Sequence, residues 1–247
     1  MIPSKALTAS LARTALRDPS TLFFSYVFPS ALLVILAQTM GSYPGVRGHS
    51  VVDSIGPNVV GIGVTFVGLF AGGMNIAEWR ENKMLGVLRC VPLSVSRILM
   101  SAFTVALVSA FVQAVLIIVV GIMPWVGMSL SPWALLAVVP VFLGALVFYL
   151  IGILVGLVVP SLQAVPLVIM LIVFPMCFAS GAMMLLEMLP SWVETLSHFL
   201  PMTHVLNGLR WPLTGVVDLS DALVGWGVLA VSGVVLFAAS VRLMRWR

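Results

Sequence analysis

Long apolar runs separated by short polar or proline-rich interruptions organise this chain. The first run extends from Thr21 to Met40, is interrupted by Pro29, and stops at a loop containing Gly41, Ser42, Tyr43, Pro44 and Gly45. A second, from Gly56 to Ala77, is rich in glycine, with Gly68 and Gly72 at the four-residue spacing that lets two helices approach closely. Further runs cover Ile98 to Met123, closed by Pro124; Trp133 to Val159, closed by Pro160; Val165 to Met184; and Ala222 to Val241. A membrane-crossing helix needs about 20 predominantly apolar residues, so the pattern predicts an all-α integral membrane protein with six transmembrane helices. Residues 185–219, between the fifth and sixth runs, are too interrupted by polar positions to cross cleanly. Ahead of the first run, Lys5, Ala9, Arg13 and Arg17 recur every four residues while Leu7 and Leu11 fall on another face. That is the pattern of an amphipathic helix lying flat at an anionic membrane surface over residues 1–20, broken at Asp18-Pro19; a solvated basic tail is the alternative. The apolar run that follows is too long for a signal-peptide core.

Composition sharpens this picture. The chain has 247 residues, 61% of them hydrophobic and 8% charged, and a mean hydropathy of +1.19, where soluble domains carry about a quarter charged residues. Six spans leave no room for a soluble catalytic domain, so residues 1–247 read as one transmembrane domain. The net charge of +4 matters through its distribution. Alternate sides receive Lys5, Arg13, Arg17, Arg80, Lys83, Arg89, Arg97, Arg242, Arg245 and Arg247 against Arg47 and Arg210, which predicts that both termini are cytoplasmic. No nucleic-acid partner is expected. Cys90 and Cys177 fall at different membrane depths and form no disulfide framework.

Several chemistries lack their residues. Between Arg97 and Glu187 there is no Asp, Glu, Lys or Arg, and ion-driven carriers generally rely on such intramembrane groups; a sodium site made of backbone carbonyls stays open. His49, His198 and His204 all fall in the predicted outer segments, and no nucleophile, base and acid converge on a span. Glu194 and His198 share a helical face at four-residue spacing, short of the three protein ligands of a catalytic zinc. Lys5 is followed by Ala6 and Lys83 by Met84, so no phosphate-binding G-x-x-x-x-G-K-[ST] loop exists. The chain is read as no enzyme, with no catalytic, metal or cofactor-binding residues of its own.

Two segments carry more specific information. Residues 78–97 read E-W-R-E-N-K-M-L-G-V-L-R-C-V-P-L-S-V-S-R. This resembles the cytoplasmic loop of the membrane subunit of type 2 ATP-binding-cassette (ABC) exporters, E-x-G-T-L-E-x-L-x-x-x-P followed by a Ser/Arg segment. Glu81, Leu85, Leu88, Pro92, Ser96 and Arg97 match, whereas Lys83, Met84 and Gly86 depart from the usual Gly, Thr and Glu. The second segment joins Leu189, Pro190 and Trp192 to Pro201, Thr203, Leu209 and Arg210. It is similar to the L-P-x-W … N-P-L-T-Y … L-R pattern of the same permeases, with Leu200, Met202 and His204 departing from it. There the stretch forms short re-entrant helices, which the resemblance implies for residues 185–219.

The resemblance implies a permease of the drug- and antibiotic-efflux kind in a bacterial cell membrane, pairing with a second copy of itself or a homologous chain. Two copies of a separate ATPase subunit, carrying ATP and Mg, would supply the drive. The cargo expected is a hydrophobic or amphipathic compound; polysaccharide or glycolipid export, and a non-transport scaffold or immunity protein, are the alternatives. If residues 81–91 form a short helix, Leu85, Leu88 and Arg89 share a face, Glu78 and Glu81 complement its start, and Pro92 ends it. These six are the expected contacts to the ATPase. Phe24, Phe28, Met170, Phe174 and Phe178 are candidates to line an apolar path, with packing or lipid contact as their other fate. Gln113, near the middle of the third run, is predicted to find an interhelical hydrogen bond or to face that path, because an unpaired amide there is costly.

Overall fold

In the computed structural model the described residues are 19–41, 48–83, 95–183 and 189–245. They are all-helical, with no strand among them. The chain enters through α1 (Pro19–Leu22), a π-helical turn (Phe23–Val27) and α2 (Phe28–Met40), which form one continuous rod. Pro29 explains the π turn: it has no N–H to give the Ser25 carbonyl and its ring crowds that carbonyl, so the helix widens just before it. The Phe28 N–H accordingly reaches back to the Phe23 carbonyl. Then follow α3 (Val51–Glu81), α4 (Val95–Gly121), a 3-10 turn (Ala134–Ala137) leading into α5 (Val138–Val158), α6 (Ala164–Ala179), α7 (Ser191–Ser197), α8 (Pro201–Thr214) and α9 (Leu219–Arg245).

Five of these segments are long and apolar enough to cross a membrane: Phe23–Met40, Val51–Glu81, Ile98–Gly121, Ala134–Val158 and Leu219–Leu243. The expected fifth span differs. Instead of Val165 to Met184, α6 has 16 residues and stops at Ser180, about 24 Å of helix against about 30 Å of hydrocarbon. Gly181, at φ +76°, turns the chain out, with Ala182 N–H bonding the Cys177 carbonyl and Gly181 N–H that of Phe178, a left-handed glycine stop. The expected N-terminal amphipathic helix lies outside the described residues, apart from its proline boundary, where α1 begins. For residues 185–219 the described part is two helices, α7 and α8. Met202, Val205, Leu206, Leu209 and Leu213 of α8 are all fully buried.

The long α3 is the hub, packed against most other helices and most extensively against α5. It starts earlier than the expected Gly56 because Ser50 and Asp53 form a capping box: the Ser50 hydroxyl accepts from the Asp53 N–H and the Asp53 carboxylate accepts from the Ser50 N–H. It ends later than the expected Ala77 because the residues beyond still have partners, Trp79 being 4% exposed. Gly68 and Gly72 lie against α5, as their spacing predicts. A methyl group on Gly72 would sit 2.1 Å from the Tyr149 carbonyl oxygen, and one on Gly156 would sit 2.5 Å from that of Gly73. Within lipid the tails are as apolar as leucine, so backbone-level contact of this kind is what holds two helices together.

Candidate functional site

At the far end of α3 the expected coupling residues acquire definite places. Glu78 is in the last turn of α3 and Glu81 is its final residue, so neither begins a separate loop helix as expected. The loop-ward chain leaves α3 only at Asn82 and Lys83, the latter at φ 56°. Leu85, Leu88, Arg89 and Pro92 lie outside the described residues.

Two neighbours in this last turn reach across to another element. The Arg80 guanidinium donates to the Leu157 carbonyl at 3.3 Å and to the Val159 carbonyl. These belong to the final turn of α5 and the residue after it, where carbonyls have no partner along the helix and the helix dipole leaves partial negative charge. Glu81 accepts from the Leu162 N–H at 3.4 Å. Between them, the two side chains fasten the turn that joins α5 to α6.

The opposite end of α3 carries a denser set of bonds. Asp53 accepts from the Ser129 N–H and hydroxyl, both at 2.8 Å, and from the Ser50 N–H at 2.9 Å, so the loop after α4 is tied to the cap of α3. Five residues on, Asn58 accepts from Arg210 Nε at 2.9 Å and donates to the Ala182 carbonyl at 3.1 Å and the Gly181 carbonyl at 3.4 Å. Arg210 also donates to the Gly181 carbonyl at 3.0 Å and to the Asn207 side chain at 3.2 Å. Burial lowers the pKa of this guanidinium to about 10, which leaves it charged at neutral pH. Arg210 thus joins α3, α8 and the chain just after α6. Nearby, Trp211 stacks on Trp133 and meets Trp226 edge-on, both at 6.2 Å between ring centres.

The residues proposed for an apolar path do not come together. Phe24 stacks on Phe66 and Phe70, at 5.9 and 5.8 Å, and Phe28 meets Phe66 edge-on at 5.8 Å; these rings pack α1 and α2 onto α3. Met170 is half-buried against the core. Phe174 and Phe178 are exposed on α6, together with Leu167 and Leu171. Gln113 is fully buried, and neither its Nε2 nor its Oε1 has a hydrogen-bond partner. The expected interhelical bond is absent because the amide lies against Gly63, where a methyl group would sit 1.7 Å from Nε2.

Sequence reading found Glu81 but missed Arg80, Asn58 and Asp53 as bonding residues. A signal existed for each, a polar side chain at the edge of an apolar run: Arg80 and Asn58 are donors that meet carbonyls at the end of another helix, and Asp53 is an acceptor that meets N–H and hydroxyl groups. Which helix end lies within reach is a tertiary matter.

Residues 4–213 match the ABC-2 type transporter family. The chain belongs to that family. As an ABC-2 protein it is a multi-pass membrane protein and a transport subunit, not a catalytic one. Permeases of the ABC-2 family normally work with an ATP-binding subunit. The matched stretch takes in both arginine clusters and the loop between α3 and α4. A comparison with curated proteins gives no match.

Proposed function

We propose that this chain is the permease of an ATP-driven exporter that moves a hydrophobic or amphipathic compound out of the cell. The supporting observation is its membership of the ABC-2 family across residues 4–213, joined to a helical bundle with no Asp, Glu, Lys or Arg from Ile98 of α4 to the end of α6. The drive comes from a separate ATPase, with ATP and Mg, docking on the loop between α3 and α4. The cation count supports reading the Arg80 end of the bundle and both termini as cytoplasmic and the Arg210 end as outside, and the family resemblance supports a bacterial membrane. Residues 189–214 then cover the outer face, with Trp192, 67% exposed, at the depth where aromatic side chains prefer to sit. Phe174 and Phe178 point away from the protomer, so a path lined by them is completed by a second permease chain.

The test is co-purification of an ATP-binding subunit with the tagged permease from its native membrane, then uptake of a fluorescent amphipathic compound into inverted vesicles on adding ATP. Leu88→Asp is the informative variant. Glu81→Arg is less so, because Glu81 already holds the Leu162 N–H. ATP-dependent uptake that Leu88→Asp abolishes, with insertion intact, supports the reading. A permease that retains no ATPase would favour a non-transport role.

A further inference from the structure

The Arg80 cluster goes beyond a docking loop. Three features bind α3 to α5 and to the start of α6. Along the seam, Gly68, Gly72 and Gly73 meet α5 at backbone distance: methyl groups on Gly72 and Gly152 would lie 2.1 and 2.5 Å from the Tyr149 and Leu69 carbonyl oxygens. At the seam's end, Arg80 bridges the Leu157 and Val159 carbonyls, and both of those residues are buried. One residue further, Glu81 takes the Leu162 N–H, in a turn whose Pro160, Ser161 and Gln163 are exposed. Arg80 and Glu81 are also the last residues of α3 before the loop on which the ATPase is proposed to act.

We propose that Arg80 is a positioning residue for energy coupling. It locks the turn between α5 and α6 to the loop-bearing end of α3, so that a displacement of the loop carries α3, α5 and the base of α6 as one body. This rests on the reading of the chain as an ATP-driven permease. The physical ground is the geometry of the guanidinium, whose planar fork reaches two carbonyls at once. Those carbonyls belong to the last turn of α5 and the residue after it, where the helix dipole leaves partial negative charge. Without the fork, the glycine seam still holds the middle of α3 and α5 together, while the turn loses the bridge to the end of α5 and keeps the Glu81 contact and the packing of Val165 and Ile169 against Gly73. The fold therefore survives and transmission suffers. Because α6 bears Phe174 and Phe178, the clamp delivers the stroke to the helix proposed to line the path.

The experiment places nitroxide labels at Asn82→Cys and Gln163→Cys, in a permease with Cys90→Ser and Cys177→Ala, reconstituted with its ATPase in liposomes. Pulsed dipolar distances are recorded with and without ATP, beside transport per ATP hydrolysed. The expected wild-type result is one narrow distance that nucleotide leaves unchanged. Arg80→Gln should broaden it and lower transport per ATP about threefold to tenfold, with the ATPase still bound, and Arg80→Lys should restore part of both. A wild-type distance that shifts with nucleotide would overturn the proposal. So would an Arg80→Gln variant with unchanged distance and coupling, or one that loses the ATPase while its distance stays narrow, which would make Arg80 a docking contact. A wild-type permease that retains no ATPase would remove the functional reading first, and the coupling role with it.

Discussion

Arg80 and Arg210 act alike at opposite ends of α3: each guanidinium donates to backbone carbonyl oxygen at or just past the C-terminal end of another helix, Arg80 to Leu157 and Val159 and Arg210 to Gly181. Their surroundings differ. Arg210 bonds to three oxygens supplied by three separate parts of the chain, and Asn58 on α3 braces one of them, the Gly181 carbonyl, together with the Ala182 carbonyl. Arg80 bonds to two carbonyls of one segment, and its helper, Glu81, is exposed. A cross-braced junction resists displacement because no single bond can open without orphaning others, whereas a latch of two bonds opens at modest cost. Under the proposed coupling role, the end that receives motion from the ATPase is the more lightly fastened one.

The comparison breaks most visibly if the seam between the two ends is destroyed. Gly72→Leu has nowhere to place its side chain and should cost more than about 3 kcal/mol by overpacking. Loss of monodisperse permease in detergent is the expected readout. Gly227→Leu, at a glycine with nothing near its missing Cβ, should express normally.

Next in size, Arg210→Leu should destabilise by about 2–3 kcal/mol, the range for hydrogen bonds to a charged group, measured as a fall in thermal midpoint. Asn58→Leu should be non-additive with it, because the two share the Gly181 carbonyl. Additive losses would mean that the brace is two independent contacts. Asp53→Ala removes a helix cap together with the Ser129 tie and should cost about 1–2 kcal/mol, again read from the thermal midpoint.

Smaller effects separate the ends. Gln113→Leu should raise stability by about 1 kcal/mol, since it deletes a buried amide that has no partner; a loss of stability would show that the amide is satisfied. Arg80→Gln should cost less than about 1 kcal/mol, as polar interhelical contacts in membranes commonly do. A thermal loss equal to that of Arg210→Leu would erase the distinction between brace and latch.

Most of the architecture was legible along the chain. Hydrophobic runs locate helices because a backbone crossing lipid must satisfy its own hydrogen bonds and cover itself with apolar side chains. Five of the expected runs correspond to helices long enough to cross, and the resemblance at residues 78–97 and 189–210 led to the family. Boundaries were less legible. The second run was read as ending at Ala77, where polarity returns, yet α3 continues to Glu81 because Arg80 and Trp79 have partners elsewhere. The fifth was read through to Met184, yet Gly181 ends α6 early, since a left-handed glycine outweighs the apolar residues after it.

The candidate site divides in the same way. Local sequence determined that Pro29 would disturb a helix and that Gly68 and Gly72 would leave a smooth face, and the capping box of Ser50 and Asp53, which the reading from Gly56 missed, is equally local, because each depends on atoms within a turn or two of itself. Only the tertiary structure decided that Gly72 meets Tyr149, that Arg80 reaches Leu157 and Val159, that Asn58 and Arg210 share one carbonyl, and that Gln113 is left without a partner. Such pairings depend on which helix ends are brought together, and on relative depth and rotation, to within an ångström. A pattern of apolar residues leaves those quantities free, because a helix that is apolar all round can turn about its axis with little change in hydropathy.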